Sequence, residues 1–367
     1  MATTSWRDRL NDWRNRFVAD PAFQRWAAAF PLSRPVARAK ARDLFDLQAG
    51  FIYSQITLAF VQLDLTSRLA AGSMDAAAVA EVGAMPVASA ERLLRAAAVL
   101  GLAERRSDGR WGLGERGAAL LGAPGVIAMI RHHPLLYADL ADPLALLRRG
   151  GGGGQLSAYW PYAEDQAADA EAVTPYSELM AASQAMVAAQ VLNAYPVARH
   201  RRLLDIGGGA GAFVRAAAER APDLELALFD LPAVADRTRA AFAAESSGVE
   251  VTGGSFTQDA LPRGADLISL IRILHDHEDD TVRVLLKAVR DALPSGGRLL
   301  IGEPLAGARG AERVGDAYFG MYLLAMGSGR ARTAAEIRTM LAEAGFARSW
   351  PVRTAMPLVA GVIVAEV

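Results

Sequence analysis

The stretch Leu203-Leu-Asp-Ile-Gly-Gly-Gly-Ala-Gly211, followed by Leu228-Phe-Asp-Leu-Pro232, constrains this chain more than any other. It reads as a buried strand, a glycine turn, a helix and a second strand ending in an acid. Asp205 to Asp230 spans one strand-helix-strand unit of a parallel sheet, which places the second acid where ribose hydroxyls would lie. A Cβ at Gly207, Gly209 or Gly211 would hold the backbone away from a ligand.

The turn does not carry the clean dinucleotide fingerprint, because Ala212 stands where a third glycine would come. A diphosphate needs an open helix N-terminus. Here Asp205 precedes the turn, where it repels phosphate and attracts a cation or an amine. S-adenosyl-L-methionine carries both an amine and a sulfonium, so it suits this turn better than a nicotinamide dinucleotide. The bland alternative, a glycine turn with no ligand, is disfavoured because Asp230 also fits.

With 367 residues the chain has room for two domains and a sizeable core. There is no cysteine, which excludes disulfides and thiolate metal sites. The net charge of −1 argues against a generic nucleic-acid binder. No unbroken apolar run reaches membrane-spanning length, and the first twenty residues lack a secretory apolar region, so a cytoplasmic location is expected.

Four segments are expected. Residues 1–45 form a basic aromatic arm, with Trp6, Trp13, Trp26, Phe17, Phe23 and Phe30 among nine Arg/Lys and four Asp. Such interleaving suits peripheral contact with a lipid headgroup surface, or packing on the body or a partner subunit. Pro21, Pro31 and Pro35 interrupt its apolar stripe. Residues 46–122 should hold apolar helices and then a winged-helix layout: helices at 76–82 and 87–100 and a hairpin turning at Asp108-Gly109. Arg92 and Arg95 with Arg105 and Arg106 would favour DNA binding only as one exposed stripe; packing or dimerisation is preferred. Residues 123–200 read as helical, broken by Gly150–Gly154, a flexible loop or linker, either a lid beside a substrate pocket or, preferably, a tolerated surface insertion. A helix from Tyr176 carries Met180 and Met186, and these three residues are candidates for an adaptable apolar substrate pocket. His132 and His133 read as structural.

From 201 to 367 strands and helices alternate, which predicts an α/β, doubly wound sheet with an antiparallel pair at one edge. Ligands of such sheets sit beyond the carboxyl ends of the strands. One strand there ends in Arg272-Ile-Leu-His275-Asp276, the next in Gly302-Glu303-Pro304. A histidine at a central strand tip, near carboxylates, is a candidate base with its orienting partners. Asp279 and Asp280 read as a helix N-terminus. No metal is expected, since consecutive residues such as His275, Asp276 and His277 rarely converge on one ion.

These motifs, with Gly253-Gly-Ser-Phe256, Leu293-Pro-Ser-Gly-Gly297 and Arg332-Thr333, resemble the plant-type, acetylserotonin-like O-methyltransferases over residues 45–367. The resemblance implies a class I methyltransferase (Rossmann-like) half behind a mostly helical winged-helix dimerisation half, S-adenosyl-L-methionine as cofactor, and a homodimer. It places the first glycine contact on Gly207 and the ribose acid on Asp230, beside Leu231. The adenine-side pair falls on Ser255 and Phe256, the lysine before the base on Arg272, and the catalytic histidine on His275. Of two flanking carboxylates, one falls on Glu303 and the other on Ala331, where it is missing. The arm, with Leu44-Phe-Asp-Leu47 and Gly50-Phe-Ile-Tyr-Ser-Gln55, is similar to carotenoid-pathway members of that family from purple bacteria. This implies a hydrophobic small-molecule substrate with a tertiary hydroxyl. Two other readings stay open: an O-methyltransferase of another apolar pigment or polyketide, and a winged-helix regulator that keeps the cofactor fold as a sensor.

Overall fold

A computed structural model of the chain describes residues 5–159 and 183–367. The chain divides into two compact units, residues 1–121 and 122–367. Of the expected segments, 1–45 and nearly all of 46–122 lie in the first unit, and 123–200 and 201–367 in the second.

In the first unit, helices Trp6–Ala19 and Pro21–Ala29 precede a long helix, Arg34–Gln62. Pro21 and Pro35 do not break these helices. Each lies in a first turn, where a missing N–H costs no hydrogen bond. The arm boundary expected at residue 45 falls inside the long helix, whose apolar face continues without a cap. That helix is long and apolar enough, by length and composition, to cross a membrane, with a window of mean hydropathy 1.3. Ser54, Gln55 and Thr57 break its apolar run and hid this in the sequence. Its C-terminal end is committed elsewhere: Phe60 is fully buried with Leu65, Leu69, Val79, Leu94 and Trp111. Helices Leu65–Ala71, Ala76–Val82 and Val87–Val99 follow, then strands β1 (Ala103–Arg105) and β2 (Trp111–Leu113) paired antiparallel, and helix Glu115–Leu121. This is the winged-helix layout. Its arginines do not form one free stripe. Glu91 takes Arg95 at 2.9 Å and Arg105 at 3.3 Å, and Arg106 pairs with Glu104.

The second unit opens with helices Pro124–Asp139, Pro143–Arg148 and Gln155–Tyr159, and a further helix spans 183–194. The glycine run between two of these is not a loose insertion. Gly152 N–H donates to the Leu324 carbonyl at 2.9 Å, and a Cβ on Gly151 would lie 2.4 Å from that same oxygen. Close approach of two backbones, with left-handed φ at Gly150–Gly153, is what requires glycine here.

The sheet contains β3 (Arg202–Ile206), β4 (Glu225–Asp230), β5 (Glu250–Gly253), β6 (Leu267–Ile271), β7 (Arg298–Glu303), β8 (Arg348–Val352) and β9 (Gly361–Glu366). Their order is β5-β4-β3-β6-β7-β9-β8, with β9 antiparallel to both neighbours. Both faces are covered, as a parallel sheet requires. Leu204, Ile206, Ile268, Leu270 and Ile301 point into one core, shared with the helices Asp279–Ala292 and Ala334–Glu343. Leu203, Leu267, Ile271 and Leu300 point into the other, with the 183–194 helix and Ala212–Arg220. β3 and β6 are parallel, but the order of strand succession reverses between them, and a crevice opens at such a switch point.

Candidate active site

Strand β3 delivers Asp205 to the floor of that crevice. The register sets Asp205 beside Ser269 of β6, whose hydroxyl donates to Asp205 Oδ1 at 2.6 Å. Burial pushes this carboxyl up to about 7, against the Ser269 hydrogen bond and with help from the Asp230 charge. The turn after β3 is left-handed at Gly207, Gly209 and Gly211. Gly209 has open space where a Cβ would be. Its N–H donates to Asp230 Oδ2 at 2.7 Å, while Leu231 N–H donates to Asp230 Oδ1 at 2.7 Å. Burial pushes Asp230 up to about 6, opposed by those two amides and by Arg237. Two carboxylates raised by burial, Asp205 also by the charge of Asp230, favour a cation nearby. A turn that leaves room above Gly209, with two acids below, fits an amine- and sulfonium-bearing ligand and opposes a diphosphate.

After β5, Gly254 N–H donates to the Asp230 carbonyl at 2.9 Å, which brings Ser255 and Phe256 to the same edge. The Ser255 hydroxyl lies 2.8 Å from that of Thr257, and its N–H donates to Asp259. Phe256 packs edge-on against His277, ring centroids 5.2 Å apart.

The chain leaves β6 through Arg272, a non-glycine residue held at φ +60. Such strain persists only where surrounding bonds over-determine it. Here Arg272 N–H donates to the Gly302 carbonyl and its guanidinium donates to Ser183 Oγ at 2.6 Å. The bend lets Glu303 of β7 collect three donors. Oε1 accepts from the N–H of Ile273 (2.8 Å) and Leu274 (2.7 Å), and Oε2 lies 2.6 Å from His275 Nδ1. His275 Nε2 stands 3.1 Å from Asp276 Oδ1. A second carboxylate, that of Asp276, thus stands at the other ring nitrogen. Burial works to lower the imidazole, but Asp276 and Glu303 outweigh it and hold His275 above its ordinary value, with Arg272 opposing. Burial likewise raises Asp276.

Residues 147–347 match the O-methyltransferase domain family. The chain is 42% identical to demethylspheroidene O-methyltransferase of Cereibacter sphaeroides over 90% of its own length and 88% of that protein. It is 43% identical to demethylspheroidene O-methyltransferase of Rhodobacter capsulatus over 92% and 84%. This chain belongs to the O-methyltransferase family. The fold is shared with human N-acetylserotonin methyltransferase solved in complex with SAM (TM-score 0.75, 24% identity, 89% of this chain and 97% of that one).

Some features of this O-methyltransferase were not read from its sequence. Residues 304–332 carry a π-helical turn, Arg313–Phe319, running into helix Gly320–Met326. Phe319 stands edge-on to His275 at 5.5 Å. Tyr318 and Tyr322 meet His133 (2.9 Å) and His132 (3.0 Å) through their hydroxyls. Burial holds both histidines below their ordinary value, so they are neutral near pH 7. Arg332 is almost fully buried and ties the loop after β6 in place. It donates to the carbonyls of Leu274 and His277 and to Asp279 Oδ1 (2.7 Å). Asp279, read as a helix N-terminal charge, also takes Arg330 and is drawn down to about 2, first by Arg330 and then by Arg332. A lone buried arginine after a loop leaves no periodic signal, although Arg332-Thr333 is visible as a motif. Met186 is half-buried on the 183–194 helix but is not part of the core packed there. Tyr176 and Met180 lie outside the described residues.

Proposed function

We propose that this enzyme binds S-adenosyl-L-methionine over the Gly207–Gly211 turn and methylates the tertiary hydroxyl of an acyclic carotenoid. The observation that carries the chemistry is the Glu303–His275–Asp276 cluster beyond the tip of β6, one strand from Asp205 and two from Asp230. The substrate class rests on the two purple-bacterial relatives, which are named for demethylspheroidene.

Asp205 would face the cationic amino-acid end of the cofactor, Asp230 the ribose, and Ser255 with Phe256 the adenine edge. When bound, the cofactor supplies an electrophilic methyl on a sulfonium. His275 would receive the hydroxyl proton at Nε2, the nitrogen that faces Asp276, and Glu303 would hold Nδ1–H and the ring plane. A tertiary alcohol is far less acidic than imidazolium, so the proton moves with or after the methyl, not before. Alignment of the acceptor oxygen therefore contributes more than base strength; well-held reactants save several kcal/mol. Arg272, turned toward Ser183, acts on the charge of His275 and Asp276 rather than through a contact of its own with them.

The homodimer belongs to this proposal as well. Leu44, Phe45, Leu47 and Phe51 are well exposed on helix Arg34–Gln62, and a second copy would cover them. Light scattering on the purified protein checks this, with twice the chain mass expected.

The deciding experiment incubates the enzyme with labelled cofactor, a 1-hydroxylated acyclic carotenoid and a panel of phenols. A monomethyl ether of the carotenoid is expected. Labelling confined to phenols would overturn the carotenoid assignment while keeping the methyl transfer.

A further inference from the structure

The two N-terminal helices bury no residue. On Trp6–Ala19 the residues Trp6, Leu10, Trp13 and Phe17 recur at helical spacing, and all four are exposed by about half or more (64, 55, 59 and 47%). The stripe continues across the helix break as a ladder of rings. Centroids are 5.0 Å apart for Trp13–Phe17, 5.1 Å for Phe17–Phe23, 5.8 Å for Phe23–Trp26 and 5.2 Å for Trp26–Phe30. Arg7, Arg9, Arg14, Arg16 and Arg25 flank it. The charge is lopsided: residues 1–45 hold nine basic and four acidic side chains, whereas the whole chain is at −1, so the remainder is net acidic.

We infer that helices Trp6–Ala19 and Pro21–Ala29 form an in-plane anchor for an anionic lipid surface. Three properties select lipid over a second copy of the chain. Tryptophan and arginine are the side chains that suit the headgroup level, each apolar along its body and polar at its tip. The basic flank matches acidic headgroups, whereas it would repel its own copy. The rings form one shallow continuous stripe and not a set of knobs cut for a complementary groove. Binding of this kind scales with buried apolar area plus attraction to anionic lipid. The inference stands on these residues alone and holds whatever the acceptor proves to be. It places the enzyme against a membrane surface, where an apolar substrate would be dissolved.

The test is flotation of the full-length protein with phosphatidylglycerol-containing vesicles and with phosphatidylcholine vesicles, at low and high salt. Strong binding to the anionic vesicles, at least tenfold weaker in 0.5 M salt or on neutral lipid, is expected. Quenching of tryptophan emission by brominated acyl chains is expected in the same samples. The variant W6A/W13A/F17A/W26A should lose vesicle binding with unchanged turnover on a detergent-solubilised substrate. R7E/R9E/R14E/R16E should lose the anionic preference. No binding to either vesicle, equal binding to both, or wild-type binding by the aromatic variant would overturn the inference. So would a dimer that falls to monomer in the aromatic variant without any vesicle binding by wild type, which would make the surface a contact between copies.

Discussion

Asp205 is the residue whose charge is most at odds with its surroundings. Its carboxyl titrates near 7 in the folded chain against 3.8 in the reference state. Between those values the folded state keeps a proton that the unfolded state releases. The contribution of this group to stability therefore falls as pH rises through that window, by on the order of a few kcal/mol, and falls no further above about 7. Asp205→Asn removes this penalty and keeps an acceptor for Ser269. In scanning calorimetry of the cofactor-free protein, the Tm advantage of the variant should widen from pH 4 to 7 and then level off. Its affinity for the cofactor should fall if, as proposed, this acid faces the cationic end. A constant Tm difference across that range would refute the buried charge. His275 gives the complementary case. Asp276 and Glu303 raise it, so its base form is reached only above the ordinary imidazole value of about 6.5. The acid limb of kcat/KM should lie above that value in wild type and move to lower pH in Asp276→Asn.

At the scale of elements, Arg332 decides whether the loop after β6 holds its shape. It joins three points of that loop, the carbonyls of Leu274 and His277 and the Asp279 carboxylate. Arg332→Ala leaves two carbonyls without their donor and should cost about 3 kcal/mol of stability. We expect kcat to drop at least tenfold with cofactor affinity retained, and Arg332→Lys to restore it only in part, since an ammonium cannot span all three points. Cofactor affinity falling in step with kcat would point instead to general collapse. The contrast with the neighbouring strands shows what a sequence exposes. The strands of the sheet were legible because the central ones are short unbroken apolar runs, and helix Asp279–Ala292 because its apolar residues recur at 3.6, with Val282, Leu285, Leu286 and Val289 on one face. The turn at Gly207–Gly211 and the tip at His275 were legible because topology fixes where strand ends lie. The π-helical turn was not, since its aromatic residues serve the site and follow no single period. Nor was the role of the Gly150–Gly154 run, which lies in its contact with the distant Leu324 backbone, a long-range contact that composition conceals.

For the whole molecule, two compact units divide the work. The first carries the winged-helix layout and the exposed aromatic arm. The second carries the sheet, with its crevice at the switch between β3 and β6. The account depends on that crevice holding the methyl donor at one strand tip and the proton acceptor at the next, so that binding and chemistry can be separated by a single substitution. The most direct measurement is single-turnover methyl transfer by His275→Ala with the labelled cofactor already bound. A rate lower by about 10²-fold or more, with cofactor affinity unchanged by calorimetry, is predicted. Transfer at the wild-type rate would contradict the account.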